Sequence, residues 1–137
     1  MSKALNTLKR LHRTAIEEVG QALAAMIAQG GQIEAEIAAA RAQLEAEQAA
    51  AAGDALAASM LGPYTQQVRA RIAAMQRQRA IILAQEDEAR DALAAAYLEE
   101  KQIEQLIEAA AALAQDREAA REAQFMDELA ISNARFR

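Results

Sequence analysis

The sequence predicts an all-α fold, an antiparallel two-helix coiled-coil hairpin, and three observations lead to this fold class. Five glycines and one proline among 137 residues are too few for the turns of a many-stranded sheet. Alanine, the residue with the highest helix propensity, occurs 39 times and makes up about half of the apolar residues. Apolar residues also recur at alternating intervals of three and four, which is the pattern of a coiled-coil seam.

The first helix is predicted over residues 4 to about 58. Its seam is a heptad row with a companion row three residues further on, formed by Ile16, Leu23, Gly30, Ile37, Leu44 and Ala51 together with Val19, Met26, Ile33 and Ala40. The pair Gly30-Gly31 lies inside this helix, where each glycine costs about 1 kcal/mol relative to alanine. Two groups of interpretations remain open. The helix is continuous, and the glycines allow close helix approach or are simply tolerated; or they form a flexible point at which the rod bends, or a true break that gives three helices in total.

The turn between the helices is predicted within residues 53–63. Gly62-Pro63 is the stronger breaker, because the residue before proline is disfavoured in the α region, and Gly53-Asp54 is a weaker stop. The second helix is then predicted over about 64–134, in a stretch of 74 residues from Tyr64 that contains no Gly or Pro. Its seam is interrupted by Arg79, Glu86 and Glu100 and otherwise consists of Val68, Ile72, Met75, Ile82, Ala89, Leu93, Ala96, Ile103, Ile107 and Ala110.

Segregated charge favours a hairpin over a parallel dimer. Residues 1–14 carry four basic side chains and no acid, whereas residues 81–130 sum to -9 within a chain of net charge -5. Antiparallel folding places the basic N-terminus beside the acidic stretch 104–122, and the Arg69 to Arg79 cluster beside Glu45, Glu47 and Asp54. A parallel dimer would stack like charges on one another. The sequence therefore predicts one domain, residues 1–137, as a monomeric hairpin.

The chemical inventory argues against catalysis. The chain has no cysteine and one histidine, and no glycine-rich phosphate loop occurs, so we expect no catalytic residue, cofactor or metal. His12, among basic neighbours, is expected to be a solvated surface residue. The pI of about 5.0 disfavours a nucleic-acid partner. No apolar run suits a signal peptide or a membrane span, so we expect a cytoplasmic protein.

Three segments of the chain, in order over nearly its whole length, carry a family resemblance. They are Ala4-Leu5-Asn6-Thr7-Leu8-Lys9-Arg10-Leu11 with Glu17-Glu18, Leu61-x-x-Tyr64 with Val68 and Ile72, and Met126-Asp127-Glu128-Leu129-Ala130. In this order they resemble the opening, the start of the second helix and the closing signature of the FliJ/YscO family of coiled-coil stalk proteins in bacterial type III export. The flagellar branch fits better than the virulence branch.

The resemblance implies a non-enzymatic stalk that couples the hexameric export ATPase to the cytoplasmic domain of the export-gate membrane protein and to export chaperones, peripheral to the inner membrane through these partners. The alternative is a generic structural or peripheral-stalk coiled coil. With a second helix that outruns the first by roughly ten to fifteen residues, the expected ATPase-binding end is Leu5, Leu8, Lys9, Arg10, Phe125, Met126 and Leu129. The expected gate-binding end is Tyr64, Val68, Ile72 and Met75.

Overall fold

The computed structural model describes residues 2–135, and within that range the chain consists of two α-helices, α1 (Ser2–Ala51) and α2 (Ala55–Arg135). The helices pack against each other as a two-helix hairpin, which confirms the predicted fold class. α1 continues without interruption through Gly30-Gly31, so the three-helix alternative is wrong. Contacts divide the chain into two units, residues 17–93 and residues 1–16 with 94–137.

The turn occupies residues 52–54, so the expectations that the first helix extends to about 58 and that the second begins at about 64 are both wrong. Gly53 has φ +88°, a left-handed conformation that glycine adopts without a Cβ clash. Asp54 then caps α2, because its Oδ1 accepts hydrogen bonds from the backbone N–H groups of Leu56 at 3.1 Å and Ala57 at 3.2 Å. These are the N-cap bonds that start a helix.

Pro63 lies inside α2 rather than at its start. Proline has no N–H group, so α2 lacks the hydrogen bond that residue 63 would donate to the carbonyl of Ser59. The seam row offers a reason why the helix nevertheless continues: Ala57, Leu61 and Tyr64 are half-buried and lead to Val68 at spacings of four, three and four residues. Seam packing over this first part of α2 offsets the missing bond.

In the unit of residues 17–93, the core is a row of apolar seam residues from both helices. Ile33, Ile37 and Ala40 of α1 form one buried cluster with Ile72, Met75 and Ile82 of α2. Glu34 pairs with Arg79, and a cleft nearer the turn brings Glu47 together with Tyr64. Residues later in α1 therefore face residues earlier in α2, which is the antiparallel arrangement.

In the unit of residues 1–16 and 94–137, α1 begins against the middle of α2. Lys9 Nζ lies 3.6 Å from Glu104 Oε1, and Arg13 Nη1 lies 3.1 Å from Glu100 Oε1. Four residues forward in α1 thus correspond to four residues backward in α2, again antiparallel. Ile16 and Ile103 are the buried apolar residues of this unit.

Candidate functional site

An apolar groove lies where α1 begins against α2. Leu5, one of the residues expected at the ATPase-binding end, is half-buried here rather than projecting freely. The groove has a volume of about 400 Å³ and is lined by Leu5, Ile107, Ala110, Ala111, Leu113, Ala114 and Arg117. Because alanines line much of it, backbone lies close to the groove surface, and a bulky apolar side chain of a partner can enter.

The basic residues near this groove divide into paired and exposed groups. Lys9 pairs with Glu104, at the edge of the acidic stretch 104–122 beside which the basic N-terminus was expected, whereas Arg13 pairs with Glu100, just outside that stretch. Arg10, also expected at the ATPase-binding end, is exposed, and so is Leu8. Of the two basic residues assigned to this end, Arg10 is thus the more accessible charge for a partner, because Lys9 is paired within the chain.

His12 occupies a seam position, so the expectation of a solvated surface histidine is wrong. Its side chain is 16% exposed, and Nε2 lies 2.7 Å from the carbonyl oxygen of Ala96, to which it donates a hydrogen bond, and 3.8 Å from Glu99 Oε2. The spacing from His12 to Ile16 and Val19 continues the heptad of α1 and is the signal that would have located it. His12 therefore fills the seam with an imidazole that has its own polar partner.

The last part of α2 is exposed along its whole described length. Every residue from Ala111 to Arg135 is exposed, including Phe125, Met126 and Leu129 with exposed fractions of 60%, 63% and 42%. This run of 25 residues exceeds the expected overhang of ten to fifteen, because the turn lies earlier than predicted and so shortens α1 and lengthens α2. Phe136, which the sequence places with these apolar residues, is outside the described range.

The four residues expected at the gate-binding end are largely part of the seam. Ile72 and Met75 are buried in the core cluster, and Tyr64 and Val68 are half-buried. The exposed apolar residues near the turn are Leu56 and Met60, which sequence reasoning missed because it placed them in a loop. With residues 55–63 recognised as helix, the 3-4 row assigns both to positions outside the seam.

Three charged side chains and one glycine form a polar layer in the seam, which we define as Gly30, Glu34, Arg79 and Glu86. Arg79 Nε donates to Glu34 Oε1 at 2.8 Å, and Arg79 Nη1 lies 3.4 Å from Glu86 Oε1. The hydrogen bond with Glu34 and the charges of both carboxylates raise the pKa of Arg79 above its ordinary value. Arg79 therefore pairs with Glu34 and Glu86, and not with Glu45, Glu47 or Asp54 as the charge pattern suggested.

Glu86 is the buried charge of this layer, with 3% of its surface exposed. Its second oxygen, Oε2, lies 3.8 Å from Arg90 Nη1. A Cβ atom on Gly30 would lie 2.7 Å from Arg79 Nη1, 2.9 Å from Arg79 Cζ and 3.2 Å from Glu86 Oε1. The missing side chain of Gly30 thus provides the space for the guanidinium, which supports close approach at this glycine.

Over residues 2–135, no group of three or more His, Asp or Glu side chains is placed to hold a metal ion. Neither helix, as far as it is described, contains a segment both long and apolar enough to cross a membrane.

Comparison with known proteins supplies the family. The model of the family described as Flagellar FliJ protein matches residues 1–137, the whole chain. The chain belongs to the FliJ family. This membership makes it a flagellar export-related coiled-coil protein, from a family of structural, non-catalytic export components. No curated protein and no solved structure matches the chain.

The segments that suggested the family lie at contrasting places in the FliJ-type hairpin. Residues 4–11 form the beginning of α1 beside the groove, and Leu61 to Ile72 lie in the early seam of α2. The segment Met126–Ala130 lies wholly within the exposed run of α2. Of the three segments, this last one has no packing role in the hairpin.

Proposed function

We propose that this protein is a stalk and escort component of bacterial flagellar protein export, which couples the hexameric export ATPase to the cytoplasmic domain of the export-gate membrane protein and to export chaperones. It acts in the cytoplasm as a monomer, associates with the inner membrane through these partners, and binds no nucleic acid. The observation that carries the proposal is the exposed run 111–135 of α2, in which the large apolar side chains Phe125, Met126 and Leu129 are open to solvent.

The dimensions of this region suit insertion into a ring. Twenty-five helical residues extend about 37 Å at 1.5 Å per residue, with a diameter of about 10–12 Å. Where α1 joins, two helices side by side measure about 20 Å. The proposed ATPase-binding end therefore presents a single-helix tip followed by a wider two-helix segment, a taper that suits the central opening of a hexamer.

The proposed contacts divide by chemistry. Phe125, Met126 and Leu129 supply apolar retention, since burying one large apolar side chain contributes about 1.5–3 kcal/mol. Arg10 and Lys9 add basic charge at the groove, which acts mainly on the association rate and its salt dependence. Leu5 and Leu8 complete this surface where the second helix joins.

The gate-binding end is proposed near the turn, but the residues that would contact the partner there differ in part from those expected from the sequence. Ile72 and Met75 are buried, so we assign them to supporting the surface. Tyr64 and Val68, half-buried, line its edge, and Leu56 and Met60, with exposed fractions of 74% and 68%, are its accessible apolar groups.

Stimulation of the partner ATPase tests the first contact. We expect Phe125→Ser/Leu129→Ser to reduce stimulation at least tenfold with unchanged helicity by circular dichroism, because both side chains are exposed and the fold does not need them. Ile81→Ser is the matched control, since Ile81 is 61% exposed and lies in the other unit. Equal stimulation by the double variant and the control would mean that the exposed run is not the ATPase contact.

Protein export tests the second contact. We expect Leu56→Ser/Met60→Ser to impair export while leaving ATPase stimulation at the wild-type level. If neither double variant affects export or stimulation, the generic structural coiled coil becomes the better interpretation.

A further inference from the structure

We infer that the polar layer (Gly30, Glu34, Arg79, Glu86) selects the register in which α1 and α2 pair, and excludes parallel pairing of α2 with its own copy. The apolar seam alone discriminates weakly between registers. Many of its positions are alanines, and a slip of one heptad exchanges apolar residues for apolar residues, for example Ile37 for Leu44. A polar seam residue is a known way to specify register at some cost in stability.

The steric part of this selection comes from Gly30. The equivalent heptad positions before and after it are Leu23, Ile37 and Leu44, so Gly30 is the one among these that lacks a side chain. A Cβ at Gly30 would already lie 2.7 Å from the Arg79 guanidinium. Any slip by one heptad, or by two toward Leu44, would therefore drive the guanidinium against a branched side chain.

The electrostatic part comes from Glu34. A one-heptad slip replaces Glu34 by Ile27 in one direction and by Arg41 in the other. Arg79 would then lose the 2.8 Å hydrogen bond from its Nε and face either an apolar group or a like charge. Glu86, only 3% exposed, and its partners Arg79 and Arg90 all belong to α2. A slip therefore leaves them together but removes Glu34, the group on α1 that holds the Arg79 guanidinium in place. A buried carboxylate whose arginine partner is held less firmly is disfavoured.

A competing register is built into the chain, because Gly62-Pro63 is a second turn signal. A turn there lies nine residues later, so α1 would gain nine residues and α2 would lose nine. Arg79 would then lie opposite a residue about eighteen positions after Gly30, between Leu44 and Ala51, and would lose both Gly30 and Glu34. Parallel pairing of α2 with its own copy fails for an electrostatic reason. A parallel α2 pair would set Arg79 against Arg79 and Glu86 against Glu86 in the seam, where like charges repel.

The distance between two spin labels, one on each helix, measures the register directly. The chain contains no cysteine, so labels attach only to cysteines that are introduced. Gln43 and Gln67 are exposed and line one cleft, so labels on Gln43→Cys/Gln67→Cys give one short distance in the native register. A one-heptad slip toward higher-numbered residues of α1 offsets the two labels by roughly a further 10 Å along the helix axis, the rise of seven helical residues, and so lengthens their separation.

The first test variant, Arg79→Leu/Glu86→Leu, makes the seam uniformly apolar and is measured by pulsed electron paramagnetic resonance and sedimentation. We expect it to remain helical and to show a second distance population at longer separation, together with dimers. Arg77→Leu/Glu88→Leu is the matched control and keeps a single population, because both residues are exposed and outside the seam. A monomeric apolar variant with one population at the wild-type distance overturns the proposal.

A second variant decides the matter if the apolar variant aggregates. Exchanging residues between neighbouring heptads, as Gly30→Ile/Ile37→Gly with Glu34→Arg/Arg41→Glu, moves the polar layer by seven positions without changing the composition. The proposal requires the main distance between the labels to increase, because the labels move apart along the helix axis by roughly 10 Å. A main population that stays at the wild-type distance overturns it.

Discussion

Replacement by alanine should change the free energy of unfolding differently at two adjacent glycines of α1, Gly30 and Gly31. Replacing glycine by alanine inside a helix gains about 1 kcal/mol. At Gly31 the new Cβ would have no neighbour within 4 Å, so Gly31→Ala should raise the free energy of unfolding by about this amount. At Gly30 the same Cβ would lie 2.7 Å from Arg79 Nη1, and the guanidinium must move away.

The cost at Gly30 follows from what the guanidinium supports. Glu86 is 3% exposed, and withdrawing one of its two arginine partners leaves a buried acceptor under-satisfied, which costs about 1–3 kcal/mol. The helix-propensity gain is common to both variants and cancels in their comparison. We therefore expect Gly30→Ala to be less stable than Gly31→Ala by about 1–3 kcal/mol.

Urea unfolding followed by circular dichroism measures this difference. A third variant tests the cause: in an Arg79→Ala background no guanidinium occupies the space, so Gly30→Ala should become about as favourable as Gly31→Ala. The reasoning would be refuted if the two single variants agreed within about 0.5 kcal/mol, the usual spread for surface substitutions, or if the difference persisted without Arg79.

Further predictions concern the seam and the turn, all read out by urea unfolding. Ile37→Ala should lower stability by about 2–3 kcal/mol because Ile37 is buried, toward the lower end for a buried large-to-small change. Leu98→Ala, at an exposed position, is the control and should stay within about 0.5 kcal/mol. Asp54→Ala should cost about 1 kcal/mol by removing the cap of α2, and an unchanged midpoint would contradict that role. Gly53→Ala should cost about 1–2 kcal/mol because its φ is +88°, whereas a neutral result would place the strain elsewhere.

The seam was predictable because its signal is periodic and local. Every position assigned to it from the 3-4 spacing is buried or half-buried, including alanines such as Ala40 and Ala51 that contribute little area. The heptad pattern can still be recognised when alanine replaces leucine, because both residues are apolar and the pattern is the spacing of apolar positions between polar ones. Resemblance in three short segments was likewise enough to find the family.

The turn was mispredicted because two local rules competed and packing decided between them. Pro63 disfavours the α conformation at Gly62 and removes one hydrogen bond, and this rule favoured a turn at Gly62-Pro63. Gly53 and Asp54 offered a complete alternative, a left-handed residue followed by an N-cap, and the seam row through Leu61 continues upstream of Pro63. Extending the heptad backward from Val68 would have favoured the earlier turn.

The polar residues of the seam were beyond single-helix reasoning because their partners lie on the opposite helix. His12 follows the heptad but is surrounded in sequence by basic residues, and its partner is a backbone carbonyl 84 positions away. Arg79 and Glu86 appeared only as interruptions of the row. Gly30 is explained by Arg79, 49 positions further along the sequence, so neither residue can be interpreted without the register.

The apolar seam row of α2 ends at Ala110 in the sequence, and the buried or half-buried part of α2 ends at the same residue. Beyond Ala110 the heptad continues through Ala114 to Arg117, Arg121, Gln124 and Glu128, so the row that faces α1 elsewhere becomes polar where α1 is absent. Phe125 and Leu129, four residues apart, share another face of the helix, rotated by about 100° from Gln124 and Glu128. A partner that covers these apolar side chains therefore approaches from a direction different from that of α1, and a helix that merely extended α1 would meet arginines instead.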